Sequence, residues 1–94
     1  NNTGYVLLGM VIEKASGQKY AKYLDAQFFK PLGLRQTSYC PSKAADPAFA
    51  LGYSKGPNGT VRAKFLDLSH PFSAGALCST VGDLAKWQRA LDGA

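Results

Sequence analysis

The most continuous apolar stretch lies near the start of the chain, where Tyr5-Val6-Leu7-Leu8 and Met10-Val11-Ile12 are interrupted only by Gly9. Polar residues precede it and Gly17 follows it, a pattern that predicts a helix over about Thr3 to Ala15. Asn2 or Thr3 is expected to accept a hydrogen bond from the free N–H groups of the first turn, and Gly17 to terminate the helix. Apolar residues cover most of its circumference, so the helix is expected to be buried between other layers. The run is far short of the roughly 20 residues a membrane-spanning helix needs. A second helix is predicted from about Lys19 to Phe29, where Tyr20, Tyr23, Leu24 and Phe28 recur at three- and four-residue intervals as one buried stripe. Pro31 and Gly33 end it, because proline disfavours helical geometry in the residue before it.

Between Thr37 and Pro47 the pattern is irregular. Ala48 to Ser54 and Thr60 to Leu66 read as two strands on either side of Lys55–Gly59, where Asn58-Gly59 is a strong turn pair because both residues tolerate positive φ. A loop from Asp67 to Cys78 follows and contains the small-residue run Ser73-Ala74-Gly75-Ala76. The last helix is predicted from about Val81 to Leu91. Thr80 and Asp83 stand in capping-box spacing, with Asp in place of the usual Glu. Leu84, Trp87 and Leu91 form its apolar stripe, and Gly93 follows its end. The reading is an α+β chain, mainly α, with about three helices and a short β-hairpin.

Length changes how the first helix is understood. Ninety-four residues suffice for one small domain, and such a chain buries only about 60–65% of its unfolded surface. There is little material here to cover a helix that is apolar nearly all round. That mismatch, and an abrupt opening on a helix-start signal with no signal-peptide pattern before it, predict a single partial domain over residues 1–94 with a missing partner.

The formal charge of +5 raises nucleic-acid binding as a function class. The eleven basic residues are dispersed along the chain, however, and the aromatic residues sit at core spacing. A solvated basic surface explains the charge, and no nucleic-acid partner is expected. Cys40 and Cys78 could pair in an exported protein, but sequence does not show that their Cα atoms approach. Their apolar neighbours favour two buried free thiols.

Little chemistry is visible within the chain. His70 is the one histidine, it lies in a loop beside Pro71, and a hydrolytic triad is not expected from it. No G-x-S-x-G nucleophile elbow occurs. One His and two distant Cys do not make a metal site, and no Gly-rich phosphate loop follows a strand, so neither a metal nor a cofactor is expected. Asn1-Asn2-Thr3 and Asn58-Gly59-Thr60 satisfy the glycosylation sequon, a short pattern that the turn explains equally well in the second case. Ser16-Gly17-Gln18-Lys19 satisfies the S-x-x-K pattern of penicillin-recognising serine enzymes. That pattern works when the serine opens a helix, so that the lysine lies one turn on and faces the hydroxyl. Ser16 is expected at a helix end, and it reads as a chance match.

Several stretches in order resemble one family. Asn1-Asn2-Thr3-Gly4-Tyr5-Val6-Leu7-Leu8-Gly9 resembles the segment that follows the catalytic tyrosine in class C β-lactamases and related esterases and DD-peptidases. Ser16-Gly17-Gln18, Pro31-Leu32-Gly33-Leu34, Gly52-Tyr53, Ser73-Ala74-Gly75-Ala76 with Ser79-Thr80, and Asp83-Leu84-Ala85-Lys86-Trp87 then fall in that family's usual order. The resemblance covers essentially the whole chain.

It implies the helical subdomain of a β-lactamase-like, penicillin-binding-protein-like serine hydrolase of bacterial type, which hydrolyses a β-lactam, peptide or ester through an acyl-serine. Asn2 would occupy the asparagine of the family's Tyr-x-Asn motif, lining the substrate pocket with an amide that both donates and accepts. Capping of the first helix is the competing use of Asn2. The small-residue run Ser73–Ala76 would lie near the pocket rim. By the same resemblance the tyrosine, the nucleophilic serine with its lysine, and the oxyanion hole would lie outside these residues. The expected partner is therefore the remainder of the hydrolase domain, no catalytic residue is expected within the chain, and an extracytoplasmic location is implied. The alternative is a stand-alone, non-catalytic binding module on the same helical scaffold.

Overall fold

The computed structural model describes residues 1–40, 49–64 and 67–93. Helix α1 spans Asn2–Ser16. Its cap is Asn1, whose Oδ1 accepts from Gly4 N–H at 2.9 Å, so capping by Asn2 or Thr3 is corrected: the helix begins one residue earlier than the apolar pattern suggested. It ends at Gly17 in the left-handed region (φ +68°), with the glycine N–H bonded to the Glu13 carbonyl. Glu13 also reaches past the end of its own helix, its Oε1 accepting from Tyr20 N–H at 2.9 Å. That bond satisfies one of the free N–H donors at the start of the next helix.

Helix α2, Tyr20–Leu24, runs directly into a π-helical turn, Asp25–Phe29. The turn closes with Lys30 N–H on the Asp25 carbonyl at 3.0 Å. The sequence period had implied one uniform helix over this stretch. The wider turn adds a residue to the circuit and shifts the side-chain phase, so that Phe29, outside the predicted stripe, is the deeply buried one while Phe28 is half-buried. Helix α3 spans Val81–Asp92, with Thr80 Oγ1 accepting from Asp83 N–H at 3.3 Å.

Two small antiparallel pairs complete the architecture. Strand β1, Ser38–Tyr39, pairs with β4, Leu77–Cys78, and Cys40 N–H extends the pairing to the Ala76 carbonyl at 2.8 Å. Neither strand was visible in the sequence, since two residues carry no period. Their register sets Cys78 opposite Ser38, so Cys40, one step past the strand, lies diagonal to Cys78 with Cα atoms 6.0 Å apart, and the two form a disulfide. The expectation of free thiols is overturned: apolar neighbours report burial, and the pairing is set by a contact 38 positions apart.

Strands β2, Tyr53–Gly56, and β3, Gly59–Arg62, form the hairpin. Gly56 faces Gly59 across a loop of only Pro57 and Asn58, and Gly59 alone takes the positive φ (+120°) that the turn requires. The strands therefore run further into the turn than predicted, to Gly56 and from Gly59, and they start later and stop earlier at their outer ends, at Tyr53 and Arg62. Of the predicted outer ends, Ala48 and Phe65-Leu66 lie outside the described residues.

The core is small. Tyr20, Phe29, Leu34, Cys40 and Ala76 are its buried hydrophobic members. Tyr20 packs edge-on against Phe72 (5.0 Å between ring centroids) and Tyr39 (6.1 Å), joining α2 to β1 and to the loop before β4. Burial, and then the neighbouring Tyr39, raises the Tyr20 hydroxyl above its ordinary pKa. On the far side Phe28 packs edge-on against Trp87 at 5.9 Å and docks α3. Of the stripe predicted for α3, only Trp87 is half-buried; Leu84 and Leu91 are exposed. Helix α1 departs furthest from expectation. Tyr5, Leu7, Leu8, Met10 and Val11 are all 55–60% exposed, and Gly9 is its one buried residue.

Candidate functional site

Asn2 is the first residue of α1, exposed, with no side-chain hydrogen bond recorded among the described residues. Because Asn1 caps the helix, the Asn2 amide is not engaged in capping. The structure fixes α1 from the other side. A single 3₁₀ turn, Phe72–Ala74, lies against the helix where Gly9 leaves a notch. Ser73 Oγ donates to the Tyr5 carbonyl at 2.6 Å. A side chain at position 9 would have its Cβ 2.7 Å from Phe72 Cε1 and in collision with Ser73. Phe72 itself holds a positive φ of 47°, which costs a bulky residue of order 1–3 kcal/mol. That backbone turns the Phe72 ring into the Tyr20–Tyr39 cluster and leaves Ser73 facing α1. Ser73, with Phe72 beside it, thus braces the first two turns of the helix that begins at Asn2.

A second constellation ties α3 to the loop before β1. Asp83 is 2% exposed. Its Oδ2 accepts from Gln36 N–H at 2.7 Å and from Thr37 Oγ1 at 3.0 Å, and its Oδ1 accepts from Lys86 Nζ at 2.9 Å. Lys86 also donates to the Gly33 carbonyl at 2.8 Å. The capping box is therefore half formed: Thr80 caps, and the Asp83 carboxylate binds Gln36, Thr37 and Lys86 instead. No buried side-chain polar atom among the described residues lacks a partner.

The Lys86 ammonium, followed by the Gln36 and Thr37 bonds, outweighs burial and holds the Asp83 carboxyl below the usual carboxylate range. A depressed folded-state pKa contributes stability that is present above the unfolded value of about 4 and is lost as pH falls through the folded one. Asp83→Asn is accordingly expected to lower the urea midpoint at pH 7 while losing less than the parent chain between pH 7 and pH 3. Equal acid losses in the two proteins would contradict this assignment.

The other chemistry-bearing positions are dispersed. Ser16 lies at the end of α1, where its Oγ donates to the Ile12 carbonyl at 2.6 Å and accepts from Gln18 N–H at 3.2 Å, geometry that occupies the hydroxyl in helix termination. His70 is exposed in a turn. Nearby Asp67 accepts from Ser69 N–H at 2.8 Å, and this bond lowers the Asp67 pKa. Among the described residues no three His, Cys, Asp or Glu side chains converge as a metal site would require, and no helix is long and apolar enough to cross a membrane. What sequence reading missed is the bracing of α1 by Ser73 and the burial of Asp83. Gly9 inside an apolar helix was a signal for the first, since a glycine there costs about 1 kcal/mol unless something packs against it.

Known proteins agree on where this arrangement belongs. The chain is 30% identical over 92% of its length to the teichoic acid D-alanine hydrolase of Staphylococcus aureus (strain MRSA252), covering 22% of that protein. Among solved structures it superposes on a D-stereospecific amidohydrolase from Streptomyces sp. with a TM-score of 0.82 and 36% identity, over 97% of this chain and 28% of the other. It superposes on the D-amino acid amidase of Ochrobactrum anthropi SV3 with a TM-score of 0.87 and 29% identity, over 99% and 30%. The chain spans less than a quarter of the length of the curated relatives it matches, 22–23% for these. The sequence profile of the Beta-lactamase family matches residues 1–94, and with that end-to-end match, on a mainly helical α+β fold shared with these hydrolases, the chain belongs to the β-lactamase family.

Proposed function

We propose that this chain is the helical subdomain of a longer serine hydrolase that forms an acyl-serine intermediate. Its substrate would be a β-lactam, or an amide or ester of a D-amino acid of the kind named for its relatives. The observation that carries the subdomain reading is helix α1, whose five large apolar side chains are each more than half exposed. Fully burying one such side chain contributes about 1.5–3 kcal/mol, so a covering layer from the rest of the hydrolase would stabilise this helix substantially. Family membership and the relatives' chemistry support the reaction class.

In this reading Asn2 supplies the polar group of the substrate pocket. Its amide can accept from one partner and donate to another without carrying charge, and with Asn1 already acting as cap it is free to do so. The Ser73 bond to the Tyr5 carbonyl holds the first turns of α1 against the 3₁₀ turn, and so holds Asn2 in place. The nucleophile, the base and the oxyanion donors would come from residues outside this chain. Because acyl transfer requires both nucleophilic attack and oxyanion stabilisation, the 94 residues alone are inactive. The Cys40–Cys78 disulfide supports an oxidising, extracytoplasmic setting.

Intact-mass measurement after incubation with a fluorophosphonate or a penicillin tests the reading. No adduct is expected on this chain, and one acyl or phosphonyl group is expected on the whole protein, at a serine outside these residues. A stoichiometric adduct on the isolated chain would overturn it. In the whole protein Asn2→Ala is expected to lower kcat/KM about 10- to 100-fold, the range for losing a hydrogen bond to a charged or developing-charge partner, with little change in thermal midpoint.

A further inference from the structure

Among the described elements, β2 and β3 pack chiefly against each other, and the two faces of their hairpin differ in kind. Directly paired residues of an antiparallel ladder share a face. Tyr53 therefore stands with Arg62, and Lys55 with Thr60. The bond from Ala63 N–H to the Gly52 carbonyl at 2.9 Å carries the pairing one step further, so strand alternation puts Leu51 and Lys64 on the Tyr53 face as well. The opposite face carries Gly52, Ser54, Gly56, Gly59, Val61 and Ala63. There Val61 lies over the bare Gly56, where an added Cβ would meet its Cγ1 at 2.9 Å.

The larger face thus presents three cations, an aromatic ring and a leucine. Every residue from Leu51 to Arg62 except Gly56 is exposed, Tyr53 at 62%. No acidic residue occurs between Phe49 and Lys64, so nothing on the hairpin offsets the charge. A face kept soluble by charge alone would not need exposed Leu51 and Tyr53 set among its cations. The phosphate backbone of a polyanion pairs with the cations but gives Leu51 no apolar environment. The interface of an anionic bilayer receives both kinds of group, with headgroup phosphates for Lys and Arg and the headgroup–acyl boundary for Tyr and Leu.

We propose that the Tyr53–Arg62 face of the hairpin is a peripheral docking surface for an anionic phospholipid bilayer. The inference does not rest on the hydrolytic reading, since it concerns residues remote in sequence from Asn2. Basic residues beside an anionic leaflet each strengthen attachment about fivefold, and the attraction is screened by salt.

Co-sedimentation of the whole protein with phosphatidylcholine vesicles, with and without phosphatidylglycerol, tests the proposal. Binding is expected only with phosphatidylglycerol and is expected to weaken as salt rises. K55Q/R62Q should reduce it at least tenfold, and Tyr53→Ser should reduce it without changing the salt dependence. The exposed face of α1 is the competing lipid contact, and Leu8→Lys separates the two, because the hairpin proposal expects that variant to bind as the parent does. Binding to neutral vesicles that Leu8→Lys abolishes and K55Q/R62Q leaves intact would overturn the proposal. Hairpin-dependent binding to duplex DNA with none to vesicles would overturn it too.

Discussion

Gly9→Ala is expected to destabilise the chain by about 1–2 kcal/mol net, although alanine is the better helix former. In an open helix the exchange would gain about 1 kcal/mol. Here the new methyl group meets the Ser73 side chain and stands 2.7 Å from Phe72 Cε1. Relief is blocked from two sides. Ser73 withdraws only by giving up its 2.6 Å bond to the Tyr5 carbonyl, and Phe72 is fixed by its rings against Tyr20 and Tyr39. Overpacking of this kind costs about 1–3 kcal/mol and sometimes more, which exceeds the helical gain. Urea midpoints of Gly9→Ala, Ser73→Gly and the double variant decide the matter. The double variant should recover part of the loss, as expected for neighbours that share one contact. A Gly9→Ala chain as stable as its parent would mean that α1 and the 3₁₀ turn are not in register as described.

Removing the Cys40–Cys78 bridge carries an effect of similar or greater size. The bridge joins positions 38 apart, and closing a loop of that length stabilises by about 2–4 kcal/mol, chiefly by restricting the unfolded chain. For a domain of this size that corresponds to a fall in Tm of about 10–25 °C. Reductant should lower the Tm of the parent to that of C40S/C78S and leave the variant unmoved. An unchanged parent under reductant would show that the β1–β4 pairing and the Phe72–Tyr20–Tyr39 cluster hold this region without the bridge.

These two predictions also mark where the sequence was opaque. Helix α1 was legible as a continuous apolar run closed by Gly17, α3 from the three- and four-residue spacing of Leu84, Trp87 and Leu91 behind Thr80, and the hairpin because a turn signal sits between two strand-like runs. The family order of short motifs was legible as well, and the profile match and the superpositions on solved hydrolases agree with it. The β1–β4 pair was not legible: each strand is two residues long, and its partner is set by distant chain. The π turn at Asp25–Phe29 was missed for a related reason, since one extra residue in a helical circuit alters phase without altering composition.

Asn2 illustrates the opposite case. Its residue type fitted both a cap and a pocket amide, and only the observed bond from Gly4 N–H to Asn1 Oδ1 removed the first use. Asp83 looked like an ordinary surface cap residue, and its burial follows from where Gln36 and Thr37 arrive, which no local pattern encodes. The exposed flank of α1 was anticipated in a different form. The apolar sequence called for layers on every side, and the described chain supplies one at the Gly9 notch.

The clamp formed by β1, β4 and the disulfide gives the intervening chain a separate standing. Its two ends are tied at Cys40 and Cys78, so the residues between them make a covalent ring whose closure is independent of what the ring contains. The three helices are organised by residues outside the hairpin, through the Tyr20 and Phe28–Trp87 contacts and the Asp83 tie. The hairpin lies inside that ring and supplies none of these named contacts. A protease cut at its tip would leave both halves of the chain joined.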